Sequence, residues 1–322
     1  MARSYMLNSR NETEDGFGFR KAPLRCFTSQ AAAKQLVRKD AWKEVDGATF
    51  ARLLLEETEA FPAIAEENNE AQHHLGLFVH GYNNGWEDSV RRYASIRSQL
   101  FDGKQGLGVL VLYTWPSDGN VAGYLPDRED ARDCAPDLAD VLVALNEHIA
   151  KVQRAMVLAD TPADRRFCRA KISVIAHSMG SYVMQKALAI ASRKLNNPQL
   201  VTLIHQLVLV AADVDNDIFQ ISQPGTSDGA LMTNLCYRIG ALYSGLDQVL
   251  GASAGLKHFG KRRLGRSGLA DRDQVHDNVF DLDVTPLIEN TPGSAHSAVF
   301  STPEAMALLR RILIGEDRKR LG

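Results

Sequence analysis

The sequence predicts an α/β protein with a mostly parallel central sheet and helices on both faces. Three observations point there. From residue 75 onward, short apolar runs alternate with longer amphipathic stretches, the signature of repeated strand–helix units. The short runs are apolar throughout, as strands buried on both faces are. Of 322 residues, 45% are apolar and 24% charged. That is enough to bury a sizeable core, with too little unbalanced charge for disorder.

The elements follow in order. Extended runs at Tyr5–Leu7 and Leu24–Thr28 flank the turn Asp15-Gly16-Phe17-Gly18. Residues 49–60 place Phe50, Leu53, Leu54 and Glu57 at helical spacing. Glu66–Glu70 is acidic and Asn-rich, an expected exposed loop. Strands are then expected at 75–79, 109–115, 172–176, 207–212, 237–243 and 279–284. Helices are expected at 86–100, within 136–155, at 178–192, just after Asp247 and at 303–314. The polar stretch 216–234 is too short for a large lid and reads as a mobile rim. No repeat or long linker divides the chain, so a single domain over 1–322 is expected. Residues 1–70 form an N-terminal extension, or first strands plus a helix, ahead of a core at 71–322.

Composition excludes several classes. Lys plus Arg is 37 and Asp plus Glu is 39, a net charge of −2, which disfavours nucleic-acid binding. Cys26, Cys134, Cys168 and Cys236 form no CxxC pair, so neither a disulfide framework nor a zinc ribbon is suggested. A reducing, cytoplasmic setting is expected. The first sixteen residues lack the apolar run of a secretory signal. No stretch approaches the ~18 apolar residues of a membrane span.

The most informative segment is Ile172-Ser173-Val174-Ile175-Ala176-His177-Ser178-Met179-Gly180. An apolar strand runs into Ala-x-Ser-x-Gly and an amphipathic helix follows. This is a nucleophile elbow with Ala in place of the first Gly. Small residues two before and two after the Ser let strand and helix backbones approach, and the hydroxyl then projects above the sheet edge. Ser178 is thus the candidate nucleophile, against the plainer reading of a helix N-cap. His177 is not its base, because side chains adjacent on the elbow point apart and bases arrive from elsewhere in the chain. Two strands earlier lies Val79-His80-Gly81-Tyr82-Asn83, where an oxyanion loop belongs. The backbone N–H groups of Tyr82 and Met179 are the candidate oxyanion donors. His80 is expected to orient the loop, and Asn83 to line the cleft beside it. Trp115 either lines the acyl pocket or packs in the core.

These motifs carry a resemblance. His-Gly-Tyr-Asn, Tyr-Thr-Trp-Pro-Ser at 113–117, Tyr124 with Asp127-Arg128, Ala-His-Ser-Met-Gly and Ala211-Ala212-Asp213-Val214-Asp215 resemble the bacterial α/β-hydrolase family DUF900, over roughly residues 75–300. The resemblance implies an α/β-hydrolase fold and a Ser-Asp-His triad, and brings no substrate. Two acids compete for the triad: Asp213 after the fourth strand and Asp247 after the fifth. The family's usual acid position favours Asp247, leaving Asp213 as a loop cap or cleft-lining residue. His258, His276 and His296 follow Asp247, and only His296 comes after the last strand, where the base belongs. Between Gly255 and Arg266 lie Lys257, Lys261, Arg262, Arg263 and Arg266 with no acid. They either attract an anionic substrate or form a solvated face.

The expected function is cofactor- and metal-free hydrolysis of a carboxylic ester or related acyl small molecule through an acyl-enzyme. The rivals are an acyltransferase or thioesterase on the same fold, and a non-catalytic scaffold that has kept it.

Overall fold

The computed structural model describes residues 3–59, 74–103, 105–117, 124–157, 171–196, 202–257, 260–291 and 293–321. The Glu66–Glu70 loop, Cys168 and His258 lie outside them.

The chain opens with β1 (Ser4–Glu12), β2 (Phe17–Ser29) and β3 (Lys43–Val45), then α1 (Gly47–Glu59). Alternation follows: β4 (His74–Val79), α2 (Trp86–Ile96), β5 (Gly108–Thr114), α3 (Tyr124–Val157), β6 (Lys171–His177), α4 (Met179–Lys194) and β7 (Ile204–Val210). It continues through α5 (Asp228–Leu235), β8 (Cys236–Tyr243), α6 (Gln248–Lys257) and α7 (Leu264–Ser267). The last elements are β9 (Val279–Asp283), α8 (Thr285–Ile288) and α9 (Pro303–Leu313).

The strands form one sheet in the order β3-β2-β1-β5-β4-β6-β7-β8-β9. β1–β2 and β2–β3 pair antiparallel. The other neighbours pair parallel. Alternate strand residues divide between two cores. Leu77 and Val79 pack with α1, α3 and α4 on one face, while Phe78 packs with α2 and α9 on the other. This is why the strand runs are uniformly apolar: both faces are covered. Among the described residues no helix is long and apolar enough to cross a membrane.

Strand order places the site. From β4 the chain adds β5 on one side, then returns to add β6 on the other. The strand order reverses there, leaving a crevice at the carboxyl ends of β4 and β6. His80-Gly81 leaves β4 and Ser178 leaves β6 at that crevice.

Two expectations need correcting. α3 spans Tyr124–Val157, so it begins ahead of the 136–155 stretch in which a helix was expected and carries Pro136 internally. A proline suits a first turn but does not require one. The extra turns bring Tyr124, Asp127 and Arg128 onto a helix. The rim at 216–234 is also anchored. Gln220 bridges Val275, and Ser227 caps α5 by accepting from the Ala230 N–H. The short strand β3 had no counterpart in the sequence pattern.

A Cβ on Gly265 would stand 2.1 Å from both Ala211 C and Ala212 N, so the 263–265 segment lies directly on the turn after β7. Gly265→Ala is expected to lower stability by about 1–3 kcal/mol in urea unfolding. An unchanged midpoint would contradict this packing.

Candidate active site

Ser178 is the N-cap of α4, with φ 53 and ψ −124. A left-handed backbone is costly for a residue with a Cβ, so the surroundings must enforce it. The Ser178 N–H donates to Val210 O at 2.9 Å, and Ser178 O accepts from the Asp213 N–H at 3.1 Å. Both partners belong to the end of β7 and its turn. Gly180 has no room for a side chain, since a Cβ would lie 2.5 Å from the carbonyl oxygens of Val79 and His80. The elbow's last glycine is therefore required by the passing end of β4. A Cβ on Gly81 would lie 2.7 Å from Ser178 Cβ, which brings the 80–84 loop against the serine.

Asp247 follows β8 and caps α6, its Oδ1 accepting from the Leu250 N–H at 3.0 Å. Its Oδ2 lies 2.7 Å from His296 Nδ1. Asp247 is buried, and the His296 side chain is 11% exposed. A carboxylate at Nδ1 selects the tautomer with its proton there, leaving the Nε2 lone pair available as a base. The loop carrying His296 is tied to the elbow. His177 Nε2 lies 3.0 Å from His296 O, and the two rings sit 4.9 Å apart. Burial drives His177 well below the ordinary imidazole range, with His296 and Arg92 contributing. The neutral ring donates its Nε2–H to the His296 carbonyl.

His80 is buried and stacks on Trp115, with ring centroids 5.2 Å apart and planes 2° apart. Its Nε2 accepts from the Trp115 N–H at 3.1 Å, and the Trp115 indole N–H donates to His80 O at 2.9 Å. Of the two readings of Trp115, the structure gives core packing. Burial first, and then Arg10, push the His80 pKa down to about 3. Met179 is buried at the first turn of α4, Tyr82 is half-buried and Asn83 is exposed with φ 56. The Tyr82 ring meets Tyr124 edge-on at 5.5 Å.

Asp213 is placed differently from a cleft-lining residue. It is buried and ion-paired with the fully buried Arg263, Nε to Oδ1 at 2.8 Å. Tyr124 OH donates to its Oδ2 at 2.6 Å, and Ser253 Oγ approaches Oδ1 at 3.4 Å. The basic segment is corrected too. Arg263 also pairs with Asp215 and donates to Asp213 O. Arg266 donates to Asp247 O, and Lys261 lies 3.3 Å from Asp215. Only Lys261 and Arg262 are exposed, and the Lys257 side chain lies outside the described residues. The cluster ties the Asp247 loop and the turn after β7 to the 263–267 segment, a structural use of cations for which composition suggested an anion-attracting or solvated face. Beside the 80–84 loop, with no signal in the sequence, Arg10 donates to Asn84 O at 2.8 Å, and Ser117 Oγ donates to Asp127 Oδ2 at 2.6 Å. Buried arginines with side-chain and backbone partners leave no periodic signal in a sequence.

With this geometry in view, residues 57–318 match the family described as alpha/beta hydrolase of unknown function (DUF900), and the chain belongs to that family. It has the α/β-hydrolase fold. No curated protein matches the sequence. Among solved structures it is similar to Aspergillus fumigatus lipase B, with TM-score 0.37 and 13% identity over 80% of this chain and 60% of that one. It is similar to a Pyrobaculum calidifontis esterase, with TM-score 0.32 and 15% identity over 77% of this chain and 79% of that one. It is also similar to Pyrococcus horikoshii acylaminoacyl peptidase, with TM-score 0.33 and 13% identity over 97% of this chain and 51% of that one. The chain thus spans less than two thirds of the lipase and of the peptidase. Likeness at this level says nothing of substrate.

The two candidate acids should separate experimentally. Asp213→Asn removes the buried charge facing Arg263 and leaves Asp215 as its carboxylate partner, and it is expected to cost about 1–3 kcal/mol of stability. Asp247→Asn should melt close to wild type. The reverse order in thermal unfolding would contradict the ion pair.

Proposed function

We propose that the protein is a serine hydrolase that cleaves a carboxylic ester or related acyl compound through an acyl-enzyme. The observation that carries this is the Asp247–His296 contact of 2.7 Å, with His296 on a loop that His177, the residue before the strained Ser178, holds through the His296 carbonyl. In this reading, Ser178 Oγ attacks the acyl carbonyl while His296 Nε2 takes its proton. Asp247 holds the imidazole and stabilises the cation that forms. The Tyr82 and Met179 N–H groups bind the tetrahedral oxyanion, with the α4 N-terminus adding its dipole. His296 then returns the proton to the departing alcohol. Water attacks the acyl-enzyme with His296 as base, and Ser178 is released.

The reading is supported by the family's fold, by the left-handed serine at the switch point, and by the neutral His80 inside the oxyanion loop. The native substrate's chain length and head group are open to a panel of p-nitrophenyl esters.

A fluorophosphonate probe is expected to label the wild type and to leave Ser178→Ala unlabelled. Asp247→Asn should retain the fold and lose about 10³–10⁴-fold in ester turnover. Labelling of Ser178→Ala would overturn the nucleophile assignment, and full activity in Asp247→Asn would overturn the acid.

A further inference from the structure

Residues 1–56 precede the segment that matches the family, yet one of their side chains reaches the 80–84 loop. We propose that Arg10 is a positioning residue for this oxyanion loop, and that the N-terminal hairpin thereby completes the active site. The inference rests on the serine-hydrolase reading.

β1 pairs parallel to β5, with Asn8 opposite Thr114. Arg10 therefore sits at the carboxyl edge of the sheet, the edge that carries the site. Its side chain is fully buried. Nε donates to Thr114 Oγ1 at 2.8 Å, and Nη1 to Gly18 O at 3.1 Å and Ser117 O at 3.5 Å. Nη2 donates to Asn84 O at 2.8 Å and lies 3.4 Å from His80 Nε2. The guanidinium is planar and rigid, so these contacts fix one another.

The reacting group is one peptide away. Gly81 C=O and Tyr82 N–H belong to the same planar trans peptide, so the two bonds point in opposite directions. Whatever holds the Gly81 oxygen also aims the Tyr82 N–H. Two donors hold it: His80 Nδ1 at 2.8 Å and Asn84 Nδ2 at 3.1 Å. Asn84 Nδ2 also donates to Tyr82 O at 2.8 Å.

Arg10 supports both donors. It anchors the Asn84 backbone through the Asn84 carbonyl. Its charge beside His80 Nε2 disfavours a second proton on that ring. Burial first, and this charge in addition, keep His80 as the neutral tautomer that donates from Nδ1 and accepts the Trp115 N–H at Nε2. Removing Arg10 releases both ends of the arrangement and lets the peptide turn. Such a misplacement costs reaction rate without weakening ground-state binding.

The test uses the full chain and the kinetics of fluorophosphonate inactivation, with melting curves as the folding check. Arg10→Gln is expected to lower the maximal inactivation rate about 10²-fold, with the apparent inhibitor affinity unchanged. Arg10→Lys retains the charge beside His80 and should recover part of the loss. A folded Arg10→Gln or Arg10→Lys that reacts at the wild-type rate overturns the inference. Should Arg10→Gln fail to fold, the lysine variant and a measurement on the wild type decide. In nitrogen-15 NMR of the wild type, the His80 ring should stay neutral and protonated at Nδ1 across the neutral pH range. Ordinary titration of His80 overturns the inference. A wild type that does not react overturns the hydrolase reading itself and this inference with it, whereas a reactive wild type with indifferent Arg10 variants overturns this inference alone.

Discussion

The left-handed backbone at Ser178 is the constraint on which the rest of the site depends. A residue with a Cβ holds that conformation only where its neighbours permit no other. Here the end of β7 and the turn after it hold the Ser178 backbone with two hydrogen bonds, and Gly180 lets the end of β4 pass within contact of α4. The same crowding brings Gly81 against the serine. One strained residue thus sets the distance between the candidate nucleophile and the loop that would face its oxyanion.

The charged side chains around the elbow are turned inward. Arg263 joins Asp213 and Asp215 under the turn after β7, Arg266 steadies the Asp247 loop, and Arg10 braces the 80–84 loop. A buried ion pair is weak evidence of stability in itself, because desolvation offsets much of the attraction. Its use here is geometric: Arg10 joins the segments at 18, 84 and 117, while Arg263 and Arg266 tie the 263–267 segment to the turns after β7 and β8. A near-neutral chain can therefore hold a highly charged interior around an apolar sheet.

Much of this was legible in the sequence. Every strand from β4 onward announced itself as an apolar run, because burial on both faces removes the polar alternation. The elbow was legible because its spacing answers to sterics that Gly180 now displays. His296 followed from order along the chain and Asp247 from the family resemblance, and the structure brings the two into contact. What stayed hidden depends on pairing between distant segments. The first turns of α3, ahead of the 136–155 stretch expected for that helix, were not legible, because Tyr124, Asp127 and Arg128 find their partners on other segments. Arg263 looked like part of a surface patch, because nothing local signals that Asp213 lies behind it. Arg10 carried no local signal, because its acceptors come from residues 18, 84, 114 and 117.

The most direct test of the central claim is a crystal structure of the phosphonylated protein. The serine-hydrolase reading predicts phosphorus bonded to Ser178 Oγ. Its phosphoryl oxygen should lie about 2.7–3.1 Å from the backbone nitrogens of Tyr82 and Met179, with His296 Nε2 on the leaving-group side. Phosphorus on any other residue, or an oxygen turned away from both nitrogens, would contradict it.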